Sequence, residues 1–163
     1  RWRKIRRFFR EGSAKEQEEE DYIAPVVLAC MNMARKKTGA LIAIQGTSDL
    51  TPYQHAGERF LAAVNARLIE TIFFKNSPLH DGAMIIAGGK ICAAGCILPV
   101  ASDTDLNKDL GLRHRSALGL SQKTDAKVII ISEERGTISL AYRSEIIVDI
   151  TPDELRALLS SED

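Results

Sequence analysis

Apolar residues recur along this chain with two periods, one near 3.6 residues and one of 2, and the switches between them predict the order of elements. Asp21 is placed to cap a helix running to about Lys37, with Pro25 tolerated near the first turn. Arg35, Lys36 and Lys37 lie at the negative end of its dipole, and Gly39 follows as a stop. Residues 40–44 are an apolar run of strand length, and 46–52 read as a loop. Residues 57–71 have helical periodicity, with Phe60, Leu61, Val64, Leu68 and Ile69 on one face and Glu58, Arg59, Asn65, Arg67 and Glu70 elsewhere. The clearest hairpin pairs 83–87 with 90–98, because Gly88-Gly89 supplies the positive φ values that a two-residue turn needs. A second hairpin joins 126–132 to 137–143 around Glu-Glu-Arg-Gly, and 145–148 forms a further strand. Residues 152–159 close the chain as a helix capped by Thr151. Without internal repeats, this alternation predicts an α/β (mixed α+β) domain, a central mixed β-sheet flanked by helices.

Composition narrows the function classes. The 163 residues, 45% hydrophobic and 27% charged, suit one domain that buries about 70% of its unfolded surface, which excludes intrinsic disorder. With 22 basic and 22 acidic residues the formal net charge is zero, so no global field draws the domain to nucleic acid or an acidic membrane, and any anion site must be local. The longest apolar run, 91–101, is interrupted by Gly95 and Pro99 and falls short of the roughly 18 to 20 residues that cross a bilayer. Cys30, Cys92 and Cys96 are an odd number without a Cys-x-x-Cys pair and lie in apolar segments, so they read as small core residues in a reducing, intracellular setting. Met31, Met33 and Met84 read as core residues, and His55 as a surface loop residue.

The charge is balanced only on average. Residues 1–10 carry Arg1, Arg3, Lys4, Arg6, Arg7 and Arg10, hence +6, while six acids against Lys15 give −5 over 11–21. A basic head interleaved with Trp2, Ile5, Phe8 and Phe9 suits a membrane interface, where rings insert and guanidinium groups meet anionic headgroups. Nucleic-acid binding and a plain solvated linker helix are the rival uses of the same run. Gly12 and Ser13 then make a hinge, so 1–20 read as a juxtamembrane or linker segment and 21–163 as the compact domain. A start at Arg1, without methionine or signal peptide, points to a piece of a longer chain.

Two segments call for a chemical account. In 110–119 a glycine break at Gly111 precedes a helix-compatible stretch that opens with Arg113, His114 and Arg115, which sets cations against the positive end of the dipole. A bound polyphosphate reverses the sign, accepting the free amides and pairing with two guanidinium forks while His114 or Ser116 donates further. Neutralisation by Asp103, Asp105 or Asp109 is the structural alternative. In 76–83, Asp81 and Gly82 stand at a strand mouth. They make either a simple turn or a site where Asp81 holds a metal or takes a proton from a hydroxyl, with His80 as a second ligand if a turn lets both converge.

Four motifs in order resemble the diadenylate cyclase (DAC) domain: Thr38-Gly39-Ala40-Leu41-Ile42, Pro78-Leu79-His80-Asp81-Gly82-Ala83, Leu110-Gly111-Leu112-Arg113-His114-Arg115-Ser116-Ala117 and Ile131-Ser132-Glu133-Glu134. The resemblance covers about 21–160 and is strongest to the bacterial membrane-bound class, whose transmembrane helices precede a cytoplasmic cyclase domain. It implies condensation of two ATP molecules into cyclic di-AMP with release of two pyrophosphates, using Mg²⁺, Mn²⁺ or Co²⁺. With apolar runs this short the fragment reads as soluble, and the resemblance implies a place, in the full-length protein, at the cytoplasmic face of the bacterial cell membrane.

Carried onto this chain, the resemblance makes Asp81 the group that deprotonates or orients the ribose 3′-hydroxyl, directly or through a metal shared with His80. Arg113, His114 and Arg115, with Ser116 and the amides after Gly111, would hold the phosphates, and Gly82 and Ala83 would let backbone approach the nucleotide. Gly39, Ala40 and Leu41, with Ile97 and Leu98, would wall the adenine, and Ser132 and Glu134 would support phosphate and metal. The product's two-fold symmetry implies a transient face-to-face homodimer. Leu112 stands where many members have Thr, so any contact that hydroxyl made must here come from backbone, and Ile97 stands where some have Tyr, so stacking on the base is expected to be weaker. The competing classes are a catalytically silent ATP or cyclic-dinucleotide sensor, against which the retained Asp81 argues, and a nucleic-acid binder, against which the neutral domain argues.

Overall fold

The computed structural model describes residues 19–102 and 110–161. A 3₁₀ turn, Glu19–Tyr22, leads into α1 (Ile23–Lys36), followed by β1 (Ala40–Ile44), the one-turn helix α2 (Thr51–Gln54), β2 (Glu58–Ala63) and α3 (Ala66–Phe73). The hairpin β3 (Ala83–Ala87) and β4 (Lys90–Cys96) comes next, then α4 (Leu112–Lys123), β5 (Lys127–Ile131), β6 (Ile138–Tyr142), β7 (Glu145–Ile147) and α5 (Pro152–Ser160). The strands form one sheet in the order β2-β4-β3-β1-β5-β6-β7. Only β1 and β3 run parallel, and every other neighbouring pair is antiparallel. This is the mixed sheet flanked by helices that the sequence predicts.

Strand alternation divides the core into two layers. Ala40, Ile42 and Ile44 of β1 join Ile129, Ile131, Met84 and Ile86 on the face covered by α1, α3 and α5. Leu41 and Ala43 join Val128, Ile130, Ala83 and Ile85 on the face covered by α4 and the loop around Leu50. All five residues of β1 are buried. A strand covered on both faces has no polar side to show, which is why β1 and β5 read as unbroken apolar runs.

The structure corrects the sequence reading at several points. Residues 57–71 are not one helix. β2 pairs antiparallel with β4 at the sheet edge, and α3 begins at Asn65, whose side chain accepts the Leu68 N–H at 3.1 Å. Phe60, Ala62 and Val64 alternate onto the core while Leu61 is 76% exposed. An edge strand and a following helix thus share an apolar count that mimics one helical stripe. Within 46–52 the chain already starts α2. Asp21 is exposed and is not the N-cap residue of α1, a position held by Tyr22, whose side chain makes no capping bond. Met31 is 43% exposed on the outer face of α1, whereas Met33 and Met84 are core. The stop of α1 is made by Lys37, in the left-handed region at φ 55°, with Lys37 N–H donating to Ala34 O and Thr38 N–H to Met33 O. The two hairpins, β7 and the Thr151 cap on α5 are as expected, and Glu154 completes a capping box with Thr151. The basic head and Asp103, Asp105 and Asp109 lie outside the described residues.

One clasp fixes the loop that leaves β1. Asp125 accepts the Thr47 and Ser48 N–H groups, each at 2.8 Å, and the Thr47 hydroxyl. Desolvation pushes its pKa up, but these bonds outweigh it and hold the carboxyl down at about 2. A carboxylate depressed in the fold stabilises above its unfolded pKa and loses that contribution as pH falls towards the folded value. Asp125→Ala is therefore expected to cost about 1–2 kcal/mol at pH 7, after discounting for solvent screening. The gap from wild type should close between about pH 4 and pH 2, measured by urea unfolding across that range.

Candidate functional site

A cleft of about 790 Å³ opens at the end of the sheet where β1 and β3 begin and β4 and β5 end. Leu41 comes from β1, Cys96, Ile97 and Leu98 from the end of β4, Ile131 and Ser132 from the end of β5, and Gly111, Arg113, His114 and Ser116 from the start of α4. Asp81 and Gly82 enter from the turn before β3. The described structure thus gathers the carboxylate, one arginine of the basic triplet and the free amide end of a helix around one cavity.

The turn before β3 decides how His80 and Asp81 relate. Two neighbours on an extended strand point to opposite faces, but here the chain is bent: His80 N–H donates to Ser77 O at 3.3 Å and Leu79 N–H to Ser77 Oγ at 3.1 Å. His80 Nδ1 lies 2.8 Å from Ser77 O, so Nδ1–H donates to that carbonyl and Nε2 is directed elsewhere. Nε2 lies 3.2 Å from Asp81 Oδ1, and the Asp81 side chain is 88% exposed at the cleft mouth. Gly82 follows at φ 90°, where a Cβ would fall 2.8 Å from Cys96 O, so only glycine passes the chain into β3 at this point.

As a metal site, the His80–Asp81 pair offers one imidazole and one carboxylate oxygen, oriented by a backbone carbonyl behind the ring. Among the described residues no group of three or more His, Cys, Asp or Glu side chains could close a coordination sphere. That donor set fits a hard divalent ion whose remaining positions are filled by water and phosphate oxygens, and does not fit a closed structural site.

At the start of α4 the N-cap residue is Gly111, with extended backbone, no side-chain cap and no acid in the first turn. Among the described residues, the orphan amides therefore have no side-chain acceptor of the usual capping kind at the cleft. Arg113 is half-buried there, with Nη1 3.7 Å from Glu133 Oε1. His114 is buried, and its Nε2 has no hydrogen-bond partner among the described residues. Desolvation, then the charges of Arg135 and Arg113, lower its pKa, which keeps the ring neutral at pH 7.

Arg115 does not line the cleft. It lies two residues after Arg113, about 200° around the helix, whereas Ser116, three residues on, returns to the same side and does line it. Ala40 faces the α1 side of the sheet, Ala83 is buried beneath α4, and Gly39 lies under Arg113 rather than in the wall. Leu41, Leu98, Ser132 and Glu134 line the cavity. The Glu-Glu-Arg-Gly turn, read from sequence as a hairpin loop, brings two residues that reading missed, Glu133 and Arg135. Their signal was available: three consecutive charges at the exit of an apolar strand, next to a serine already suspected of touching phosphate.

Comparison with known proteins agrees with this arrangement. The family model described as DAC, DisA bacterial checkpoint controller nucleotide-binding, matches residues 27–146. A diadenylate cyclase of Listeria monocytogenes is 39% identical over 155 residues, covering 95% of this chain and 57% of the relative. The cyclic di-AMP synthase CdaA of Bacillus subtilis is 37% identical over 157 residues, covering 96% of this chain and 58% of that protein. The chain thus spans less than two thirds of the length of these relatives. The crystal structure of a DacA double mutant from Staphylococcus aureus superposes with a TM-score of 0.85 at 38% identity, covering 88% of this chain and 96% of that one. A hypothetical membrane-spanning protein from Bacillus cereus gives 0.77 at 34% identity, covering 80% and 64%. On motif order, sheet topology and these matches together, the chain belongs to the DAC family of diadenylate cyclase domains.

Proposed function

We propose that this chain condenses two ATP molecules into cyclic di-AMP, releasing two pyrophosphates, where two copies meet face to face. The observation that carries this reading is the convergence of Asp81, Arg113 and the uncapped start of α4 on one cavity of nucleotide size. Leu41, Ile97 and Leu98 supply an apolar slot for adenine. Arg113 and the amides after Gly111 donate to the phosphates, with neutral His114 lining the cleft beside them, and Arg135 adds a positive charge as negative charge grows on the departing pyrophosphate. Asp81, at the mouth, orients the ribose 3′-hydroxyl and accepts its proton as that oxygen attacks the α-phosphorus of the opposite ATP. Each of the two equivalent steps forms one ester bond and breaks one bond to pyrophosphate.

A divalent ion, Mg²⁺, Mn²⁺ or Co²⁺, held by His80 and Asp81 would neutralise phosphate charge and acidify the attacking hydroxyl. The partner is a second copy, because one active face presents one attacking hydroxyl and the product requires two. The cleft is rimmed by exposed Ile97, Val100, Leu112 and Val148, an apolar border suited to transient contact with the same border of another copy. The basic head and the membrane-spanning relative support a place at the cytoplasmic face of the cell membrane, although no helix among the described residues is long and apolar enough to cross one.

The dimer requirement has a kinetic signature. Specific activity with ATP and Mn²⁺ should rise with enzyme concentration and level off once copies are paired. Activity per molecule that stays constant down to concentrations where sedimentation shows only monomer contradicts this reading. Binding of ATP without product at any concentration favours a silent nucleotide sensor.

A further inference from the structure

Gly39 has no local conformational reason to be glycine. The stop of α1 is made by Lys37 in the left-handed region, and Gly39 is not among the glycines of positive φ. It is nevertheless buried at the step into β1. A Cβ built on it would run into Arg113 Nη1, and would lie 2.5 Å from Cζ and 2.8 Å from Nη2. All three nearest atoms belong to that one guanidinium. Glu133 approaches Nη1 of the same group at 3.7 Å.

We propose that Gly39 is a positioning residue for the cyclase reaction: its absent side chain is the seat on which the Arg113 guanidinium rests, and this seat aims the fork at the triphosphate. The inference rests on the function proposed above and deepens it, since it assigns a task to the Thr-Gly-Ala-Leu-Ile segment other than walling the base. A guanidinium binds phosphate through a planar array of donors, so its orientation matters as much as its charge. A methyl group at position 39 must push the fork aside, and misplacement by about 1 Å at a reacting centre costs on the order of a hundredfold when it reaches the chemistry. The obstructed atoms are the far end of a flexible side chain, so the fold can yield while the aim is lost.

The test is a double-variant cycle read by calorimetric titration of ATP with Mg²⁺. Gly39→Ala should weaken ATP binding about tenfold, the scale of one misdirected charge-assisted contact. In an Arg113→Ala background the same Gly39→Ala change should have no further effect, because the space its Cβ needs is then empty. A purely structural glycine predicts the opposite, an equal loss in both backgrounds, and that result overturns the proposal, as does wild-type affinity in Gly39→Ala alone. Should Gly39→Ala unfold, adding Arg113→Ala must restore the melting temperature to that of the Arg113→Ala single variant, and failure to do so overturns it equally. Wild-type protein that binds no ATP overturns the proposed function and this inference with it. ATP turnover by wild type with an additive cycle overturns the inference alone.

Discussion

Asp81→Asn is expected to abolish detectable cyclic di-AMP formation while ATP still binds within a few-fold of wild type. The substitution keeps the shape of the side chain and removes both its negative charge and its capacity to accept a proton. Loss of a positioned general base costs about 10²- to 10⁴-fold, and an amide is also a poorer ligand for a hard cation. Binding is spared because the phosphate contacts come from elsewhere, from Arg113 and the start of α4. The Asp81 side chain is 88% exposed, so its replacement leaves no buried group unpaired and the melting temperature should move by less than a degree or two, about the effect of an ordinary surface substitution. Product chromatography with parallel ATP titration separates the two effects. Product from Asp81→Asn at the wild-type rate would return Asp81-Gly82 to the status of a plain turn.

Val100→Arg is expected to cost at least about a hundredfold in turnover, again with ATP binding kept. Val100 lines the cleft and is 52% exposed, so a second copy facing the cavity covers it. In an isologous contact each copy presents the same patch, so the substitution places two guanidiniums in one interface, each set into the apolar rim that Ile97, Leu112 and Val148 form around position 100. Burying an unpaired charge typically costs several kcal/mol, enough to dissolve a transient dimer. The introduced charge is positive, so it does not repel triphosphate, and a loss of turnover cannot be put down to lost substrate. Sedimentation of the ATP-loaded variant should show monomer only. Wild-type turnover from a protein that sediments as monomer would remove the face-to-face dimer from the account.

How far the sequence carried this reading depended on how each element meets its neighbours. β1, β5 and the Gly88-Gly89 hairpin were legible because strands buried on both faces leave unbroken apolar runs, and because both turn glycines adopt positive φ, 59° and 73°. The region 57–71 was not, since an edge strand with one wet face carries only Phe60, Ala62 and Val64 inward, too short a pattern to outweigh the helical stripe that follows. In the site, Asp81 and Arg113 were readable from motif order, and the condition for His80 to converge with Asp81, a turn between them and the preceding chain, is met at Ser77. Arg115, which the Arg-His-Arg motif groups with Arg113, is not among the residues that line the cleft, in keeping with the helical geometry that separates i from i+2. Contacts between distant segments stayed out of reach: no local signal ties Gly39 to Arg113, or Thr47 and Ser48 to Asp125.

The most direct measurement incubates the wild-type chain with ATP and Mn²⁺ or Mg²⁺, at a concentration where dimers are verified, and identifies the products by chromatography and mass. Cyclic di-AMP, with two pyrophosphates for each molecule formed, is the expected outcome. ATP recovered unchanged from protein that demonstrably binds it, under those conditions, would contradict the proposed function.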